Sequence, residues 1–334
     1  MLVLKNITKR FNTTGNPEDL IVALDNVSLT INEGEFVTII GTNGSGKSTT
    51  MNIITGAMMP DEGSVSLNGA NITHMDEHQR AKYYGRVFQD PMMGTAAEMS
   101  VLENLEIAFR KGKFHSPLKW GFKKENKEMF INELKRFDLG IEDRLNKKVG
   151  TMSGGQRQAL TLLMATMRNF PSHNRIRKEY VYFAEGDKKL AKDEVESAYK
   201  KLRDQFLEEK ARLKADKSLS FVSRREKIRE AYKKFDDEFR VYDVTKPILL
   251  LDEHTAALDP KTARKVLELT DKIVHESQMT ALMITHNMAD ALKYGNRLIM
   301  FAHGKIVLDV SGEEKAKMKV NDLYNLFQVQ NEMD

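Results

Sequence analysis

Residues 41–49 read GTNGSGKST, a run of glycines, hydroxyl side chains and one lysine that suits phosphate binding. Four residues separate Gly41 from Gly46, and Lys47 and Ser48 follow, which is the spacing of a phosphate-binding loop. Glycines let backbone N–H groups close around phosphate oxygens, because no Cβ stands in the way. Lys47 is expected to supply a charge to the β- and γ-phosphates of a nucleotide, and Ser48 a hydroxyl to Mg²⁺.

The segments on both sides of this loop favour the same interpretation. Glu35–Ile40 is apolar enough for a buried strand that leads into the loop, and Ser48–Ile54 suits a helix that leads out. The N-terminus of that helix would point its free N–H groups at the bound anion. A glycine-rich turn without a ligand is the alternative, and it leaves this strand, loop and helix context unexplained.

Two carboxylates follow another apolar run. Ile248–Glu253 reads ILLLDE, in which four apolar residues predict a fully buried strand with Asp252 and Glu253 at its carboxyl end. Ligands of open α/β sheets bind at that end of the strands. Asp252 is placed to hold Mg²⁺, directly or through water, and Glu253 to orient or deprotonate an attacking water. An acidic strand end with a capping role is the alternative.

A second glycine pair stands before another helix candidate. Thr151–Gln156 reads TMSGGQ, where Ser153 suits a helix N-cap and Gly154 and Gly155 bring N–H groups close to whatever lies ahead. Two phosphate-facing motifs beside a single phosphate loop suggest that ATP is shared between two subunits. A plain serine cap with a flexible start fits the same letters.

A histidine and a glutamine each follow a strand candidate. His286 comes after Ala281–Ile284, where it is placed to donate a hydrogen bond to a γ-phosphate, and Gln89 comes after Val87–Phe88. Each would otherwise be an ordinary surface side chain, and only its position at a strand end gives it weight.

Composition limits the class of protein. The chain has 334 residues, enough for one large domain or two ordinary ones, and no cysteine, which excludes disulfides and thiolate metal sites. A net charge of +4 gives no overall basic character that would argue for nucleic acid. The N-terminal MLVLKNITKRF lacks the features of a signal peptide, and no apolar run reaches about 18 residues. We expect a soluble protein, or one that meets a membrane only through a partner.

Strand and helix candidates alternate along most of the chain, which predicts a mostly parallel α/β sheet. The strand candidates are Leu2–Ile7, Val27–Ile31, Ser64–Leu67, Arg86–Phe88, Ile248–Leu251, Ala281–Ile284 and Leu298–Phe301. The helix candidates are Ser100–Phe109, Lys124–Phe137, Gly154–Met167, Lys261–His275 and Met288–Lys293.

Arg175–Asp243 departs from this alternation, because Lys, Arg, Glu and Asp dominate it. Asp187–Lys217 and Ser223–Phe239 each show one apolar stripe, which predicts an antiparallel helical hairpin. Ser223 and Glu226 fit a capping box at the start of the second helix. The stripes are formed by Val195, Tyr199, Leu202, Phe206 and Leu213, and by Ile228, Tyr232, Phe235 and Phe239. A solvated elaboration and a docking arm are both consistent with this composition.

In this order and spacing the motifs resemble those of the ATP-binding cassette (ABC) ATPases, the nucleotide-binding subunits of ABC transporters. The resemblance covers Leu2–Asn169 and Lys246–Phe327. It implies an α/β fold: a P-loop NTPase core with an antiparallel β subdomain, a helical signature subdomain and an inserted charged α-helical hairpin. The implied ATPase domain comprises residues 1–169 and 246–330, with its helical subdomain at about 90–165, and the insertion comprises residues 170–245.

The resemblance also implies the functional residues. Lys47, Glu253 and His286 would be catalytic, and Ser48, Gln89 and Asp252 would hold Mg²⁺. The residues that would contact ATP are Phe11, Gly41, Thr42, Asn43, Gly44, Ser45, Gly46, Lys47, Ser48, Thr49, Gln89, Ser153, Gly154, Gly155, Gln156 and Asp259.

Three positions depart from the family's usual residues. Met152 stands where the family usually has Leu, Phe11 where it has Tyr, and His254 where many members have Pro. The first two changes conserve apolar volume or an aromatic face. His254 is expected to alter the turn after Glu253.

A resemblance to amino-acid-type importer cassettes implies a specific cellular role. Two subunits, most simply a homodimer, would sandwich ATP and drive transmembrane permease subunits, with a solute-binding protein involved indirectly and no nucleic acid. Such a subunit would sit peripherally on the cytoplasmic face of the membrane and power the import of amino acids or similar small solutes. The alternatives are a soluble ABC-type ATPase not linked to transport and a protein that binds ATP without hydrolysing it.

Overall fold

The computed structural model describes residues 1–12, 19–81, 83–109, 124–136, 138–167, 192–216, 218–220, 222–224, 226–228, 230–231, 234 and 248–331. The chain divides into two compact units. The main unit comprises residues 1–170 and 247–334, and the small unit comprises residues 171–246.

The main unit alternates strands and helices along most of its length. Its strands are β1 Leu2–Asn12, β2 Leu20–Ile31, β3 Phe36–Gly41, β4 Glu62–Leu67, β5 Ala70–Asn71, β6 Tyr84–Val87, β7 Ile248–Asp252, β8 Ala281–Ile284, β9 Arg297–Ala302 and β10 Lys305–Ser311. Its helices are α1 Lys47–Thr55, α2 Glu77–Arg80, α3 Val101–Phe109, α4 Lys124–Lys135, α5 Gly154–Thr166, α7 Pro260–Ser277, α8 Met288–Lys293, α9 Gly312–Lys317 and α10 Val320–Asn331. Helix α6, Lys192–Ala215, lies in the small unit.

Two sheets organise the main unit. One is six-stranded, in the order β10-β9-β3-β8-β7-β6, and every neighbouring pair is parallel except β9 with β10. The other is four-stranded and antiparallel, in the order β2-β1-β4-β5. The alternation in the sequence therefore predicted the parallel sheet correctly, and the antiparallel sheet implied by the family resemblance is present as well.

The central strands are apolar on both faces because each face is covered. Leu249 and Leu251 of β7 belong to a core cluster that includes residues of α3, α5 and α7. Ile248 and Leu250 belong to a second cluster that includes residues of α1, β1 and β2. Successive side chains of a strand point to opposite faces, so a continuous ILLL run can serve both clusters.

The small unit contains a helical pair. Helix α6 is followed by helical residues at 222–224, 226–228, 230–231 and 234. Phe206 and Ala231 are buried together, with Leu202 and Leu213 packed against them. The side chains of the predicted stripe residues Val195, Tyr199, Tyr232, Phe235 and Phe239 lie outside the described residues.

The predicted capping box of the small unit is wrong. Ser223 lies within the helical residues 222–224, and its N–H donates to Ser220 Oγ over 3.2 Å. Ser220, three residues earlier, therefore takes the capping position that the sequence pattern assigned to Ser223, since its hydroxyl accepts from the N–H three residues on. Throughout the described ranges, every helix is too short or too polar to span a bilayer.

Candidate active site

The candidate catalytic and metal-binding residues lie together where parallel strands end. Strand β8 lies between β3 and β7, with Ile284 level with Ile39 on one side and with Asp252 on the other. The carboxyl ends of the three strands therefore share one edge of the sheet. The glycine-rich loop leaves β3 at this edge, the two carboxylates leave β7, and His286 follows β8. A sheet edge of this kind is where ligands bind in open α/β folds.

The glycine-rich loop leads directly into α1. Gly46 forms the N-cap of this helix with φ 105°, a conformation that costs a residue without Cβ little. Lys47 Nζ donates to the carbonyl oxygens of Gly41 and Thr42, over 2.8 and 2.7 Å, so the lysine closes the loop on itself. Burial lowers the pKa of Lys47, while the negative charges of Glu253 and Asp252 act in the opposite direction.

The residues of the glycine-rich loop differ in their exposure to solvent. Asn43, Gly44 and Ser48 are exposed, whereas Ser45 and Lys47 are buried. Gly41, Thr42 and Thr49 are intermediate. The Ser48 hydroxyl is thus open to a ligand at the first turn of α1, as metal binding requires.

Asp252 lies at the end of β7 with an arginine beside it. Its Oδ2 accepts a hydrogen bond from Arg86 Nη2 over 3.0 Å, and its Oδ1 makes no hydrogen bond to the described residues. Carboxylate and hydroxyl oxygens are hard ligands of the kind Mg²⁺ prefers, so Asp252 with Ser48 fits this ion. Gln89, the third predicted metal ligand, is exposed after β6.

Glu253 and His286 approach each other at the same edge. His286 Nδ1 lies 3.6 Å from Glu253 Oε2, and the histidine side chain is 66% exposed while the glutamate is 24% exposed. Glu253 has φ 42°, and its N–H donates to the carbonyl of Ile284 in β8. A non-glycine residue in this left-handed conformation is uncommon and concentrates at functional sites.

His254 behaves differently from the expectation that it only alters a turn. Its side chain is buried, and its Nε2 lies 3.2 Å from Thr270 Oγ1 on α7. Thr270 Oγ1 donates to the carbonyl of Val266, so the hydroxyl is left to accept from a protonated Nε2. Burial lowers the pKa of His254 to about 4, which keeps the ring neutral at physiological pH. No feature of the sequence predicted this contact.

Helix α5 starts with the capping geometry that the sequence predicted. Ser153 Oγ accepts from Gln156 N, and Gln156 Oε1 accepts from Ser153 N, each over 3.3 Å. Gly155 is buried and Ser153 is exposed. Farther along the helix, the buried Gln158 donates through Nε2 to the carbonyl of Phe88, the residue before Gln89.

The last two predicted contact residues lie elsewhere on the main unit. Phe11 in β1 is partly exposed and pairs with Ile21 of β2 in the antiparallel sheet. Asp259 forms the N-cap of α7, with its Oδ1 accepting from Thr262 N over 3.1 Å. Hydrogen bonding by the Thr262 side chain, and then by its N–H, lowers the pKa of Asp259. The described contacts bring together the loop, Asp252, Glu253 and His286, but they do not bring Phe11, Ser153 or Asp259 to that cluster.

Sequence reasoning missed two polar side chains that connect these elements. Arg86 joins Asp252 to α1 through Asn52 Oδ1, 3.1 Å from its Nη2, and Gln158 joins α5 to the segment before Gln89. A charged residue in a short strand next to a buried apolar strand was the available signal for Arg86. Gln158 lies in a mixed helix sequence that gives no comparable sign.

Comparisons with known proteins agree with this geometry. Residues 24–173 match the family model described as ABC transporter. The chain is 35% identical, over 329 residues, to the tyrosine transport ATP-binding protein of Clostridioides difficile (strain R20291). That alignment covers 98% of this chain and 99% of the relative.

Solved structures share the fold at lower identity. The dimeric structure of MJ0796, a bacterial ABC transporter cassette, superimposes with a TM-score of 0.59 at 25% identity, covering 93% of this chain and 98% of that one. A post-hydrolysis dimer of the same cassette, bound to ADP and Pi, gives a TM-score of 0.57 at 25% identity with the same coverage.

Proposed function

Because this chain belongs to the ABC transporter family as an ATP-binding, ATP-hydrolysing subunit, we propose that it powers the import of an amino acid. The observation that supports ATP hydrolysis as the source of that power is the meeting of the phosphate loop, two carboxylates and His286 at one sheet edge. The amino-acid class is supported by the 35% identity to a tyrosine transport ATP-binding protein.

We assign the chemistry to residues at this edge. The N–H groups of the loop and Lys47 Nζ would bind the β- and γ-phosphates, with Lys47 exchanging its carbonyl partners for phosphate oxygens. Glu253 would accept the proton of the attacking water or orient that water, and His286 would donate to the γ-phosphate. The approach of His286 Nδ1 to Glu253 Oε2, 3.6 Å apart, supports a shared position near the γ-phosphate.

Magnesium is part of this proposal. Ser48, Gln89 and Asp252 would hold Mg²⁺, and the ion would supply positive charge against the negative charge that develops on the phosphates during hydrolysis. The exposed Ser48 side chain and the Asp252 Oδ1 that no described residue engages support the assignment.

We further propose that the ATP-binding site is completed by the N-terminus of α5 from a second subunit of the same kind. The capped but exposed Ser153 supports this, as does the dimeric state of the MJ0796 structure. Ser153→Arg should leave ATP binding by one subunit intact and block ATP-dependent dimerisation, because a bulky cation would occupy the space of the partner's γ-phosphate.

A mixture of variants tests the shared site directly. Ser153→Arg subunits mixed with Lys47→Ala subunits should form heterodimers with one composite site free of both changes. ATP-dependent dimers, measured by gel filtration, should therefore appear in the mixture and in neither variant alone. Unchanged dimerisation of Ser153→Arg alone would contradict the shared site.

The transported solute is tested in cells. A strain that carries Glu253→Gln at the native locus should lose uptake of one labelled amino acid, with tyrosine, phenylalanine and tryptophan tried first. Permease subunits and a solute-binding protein should be encoded nearby, and the chain should fractionate with membranes through that permease at their cytoplasmic face. Unchanged uptake of every amino acid would favour the alternative, an ABC-type ATPase not linked to transport.

The small unit has a separate assignment. We propose that residues 170–245 form an insertion that the ATPase domain, residues 1–169 and 246–330, does not need for hydrolysis. The buried pair Phe206 and Ala231, packed with Leu202 and Leu213, gives the insertion a core of its own. Replacing residues 173–243 with a Gly/Ser linker should leave ATP binding and hydrolysis in place. A deletion variant that cannot fold or bind nucleotide would show that the boundary is wrong.

A further inference from the structure

Arg86 contacts the candidate metal ligand Asp252, but the proposed hydrolysis mechanism assigns no role to Arg86. It lies in β6, next to β7, and its Nη2 donates to Asp252 Oδ2 over 3.0 Å. The same nitrogen lies 3.1 Å from Asn52 Oδ1 on α1. The side chains of Arg86 and Asp252 are only 14% and 19% exposed, so their interaction is screened little by solvent.

The position of the guanidinium is fixed, but its bond to the carboxylate is not the strongest available. The group stacks over the Phe88 ring at 4.8 Å from its centroid, and Phe88 is in turn held by Gln158. Arginine–carboxylate pairs that serve mainly structure are often bidentate, with two parallel N–H donors. Here Nη2 alone reaches the carboxylate, and Arg86 Nε is buried without a hydrogen-bond partner among the described residues.

We propose that Arg86 sets how strongly nucleotide binding depends on magnesium. This inference rests on the proposed role of Asp252 toward Mg²⁺. A fixed positive charge beside Asp252 weakens the attraction of that carboxylate for a divalent cation. The same charge offsets the repulsion between Asp252 and the phosphates of metal-free ATP. Arg86 therefore narrows the difference in affinity between metal-free and magnesium-bound nucleotide, and it is a positioning residue that acts through Asp252.

The experiment measures binding rather than turnover. The dissociation constant of a fluorescent, non-hydrolysable ATP analogue is determined in EDTA and in excess MgCl₂ for variants of the full chain. The quantity compared between variants is the constant in EDTA divided by the constant in MgCl₂, so a larger ratio means a stronger preference for magnesium. Arg86→Gln should raise this ratio about tenfold, because a like charge close to a partly buried site typically changes affinity by that order. Arg86→Lys keeps the charge and should stay within about threefold of the natural chain.

Asp252→Asn separates failure of this inference from failure of the metal assignment. If Asp252 serves Mg²⁺, Asp252→Asn should lose most of the magnesium preference, and adding Arg86→Gln should then change nothing further. A full magnesium preference in Asp252→Asn would refute the metal assignment itself. A lost preference in Asp252→Asn, together with an unchanged or lower ratio in folded Arg86→Gln, would overturn the role of Arg86.

A folding control completes the test. Circular dichroism and the thermal midpoint show whether each variant is folded. Should Arg86→Gln not fold, Arg86→Met takes its place, since an unbranched apolar chain can pack against Phe88 as the arginine stem does. The expected direction is the same for both variants, because each removes the charge.

Discussion

Helices α1 and α5 both have glycine at their starts, yet their first N–H groups differ in their hydrogen-bond acceptors. Helix α1 is preceded by Gly46, and no side chain of the described residues caps it. Helix α5 is preceded by Ser153, whose Oγ accepts from Gln156 N in a reciprocal capping box. The first N–H groups of a helix need acceptors, and α5 has one in Ser153 whereas no described side chain provides one at α1.

If both helix starts contact ATP as proposed, this difference predicts that they bind its phosphates with different strengths. At α1 the phosphate would complete the helix start, so we expect most of the affinity for ATP to arise there. At α5 a phosphate from the proposed second subunit would meet N–H groups that are already partly satisfied by bonds of 3.3 Å. That end is therefore suited to a weaker, reversible contact, as a subunit interface that opens and closes in each cycle requires.

Removing the lysine should break the stronger of the two sites. Lys47→Ala is expected to weaken ATP binding by roughly 100-fold and to abolish turnover, because a buried charge-assisted donor is lost. The carbonyls of Gly41 and Thr42 would also lose their donor. The measurement is titration with a fluorescent ATP analogue alongside a phosphate-release assay. Lys305→Ala, which removes an exposed lysine paired with Asp25, is the control and should bind normally.

Glu253→Gln should leave the starts of α1 and α5 intact but slow ATP hydrolysis. Glu253→Gln preserves shape and removes the carboxylate, so turnover should fall about 10²- to 10⁴-fold while ATP binding persists. ATP should then hold the α1 site of one subunit against α5 of another, and gel filtration with Mg-ATP should show a persistent dimer. Turnover near that of the natural chain would rule out the role given to Glu253.

The sequence predicted these sites unevenly, for physical reasons. The strand and helix on either side of residues 41–49 and the strand that ends in Asp252 could be predicted, because a phosphate-binding loop has fixed residue types at fixed spacing. Strand β7 was likewise expected within one residue of its observed end, since four consecutive apolar residues allow little else. The edge strand β10 was missed, because its alternating, partly exposed residues KIVLDVS give a weaker signal.

Contacts between distant segments were not predictable in the same way. Arg86 and Asp252 are 166 positions apart, and His254 and Thr270 are 16 positions apart. Such pairs depend on which strands become neighbours and on side-chain rotamers, which a single sequence does not encode locally. The misplaced cap at Ser223 has a local cause instead, because a second serine three residues earlier could serve the same helix start.

The glycines of α5 offer a matched pair of smaller changes. A Cβ at Gly155 would lie 2.0 Å from Thr262 Cγ2, whereas a Cβ at Gly154 would lie 3.3 Å from Leu258 Cδ2. Gly155→Ala should therefore destabilise the main unit by about 1–3 kcal/mol through overpacking. Gly154→Ala should be near neutral, and urea unfolding of the two variants decides between them. Equal stabilities would mean that α5 and the start of α7 are not packed as closely as described.

The smallest effect is expected from the cap itself. Ser153→Ala removes the hydroxyl that accepts from Gln156 N, and Ser153→Asn keeps a side-chain oxygen in the same place. Because both bonds of the capping box are 3.3 Å long and Ser153 is exposed, we expect a loss of only about 0.5–1 kcal/mol for the alanine variant and none for the asparagine variant. ATP binding by a single subunit should be unchanged in both, since the α1 site is untouched. A loss of monomer ATP affinity in Ser153→Ala would mean that the two helix starts contact the same nucleotide within one chain. It would contradict the proposal that α1 binds ATP within a subunit and α5 contacts the ATP of the partner.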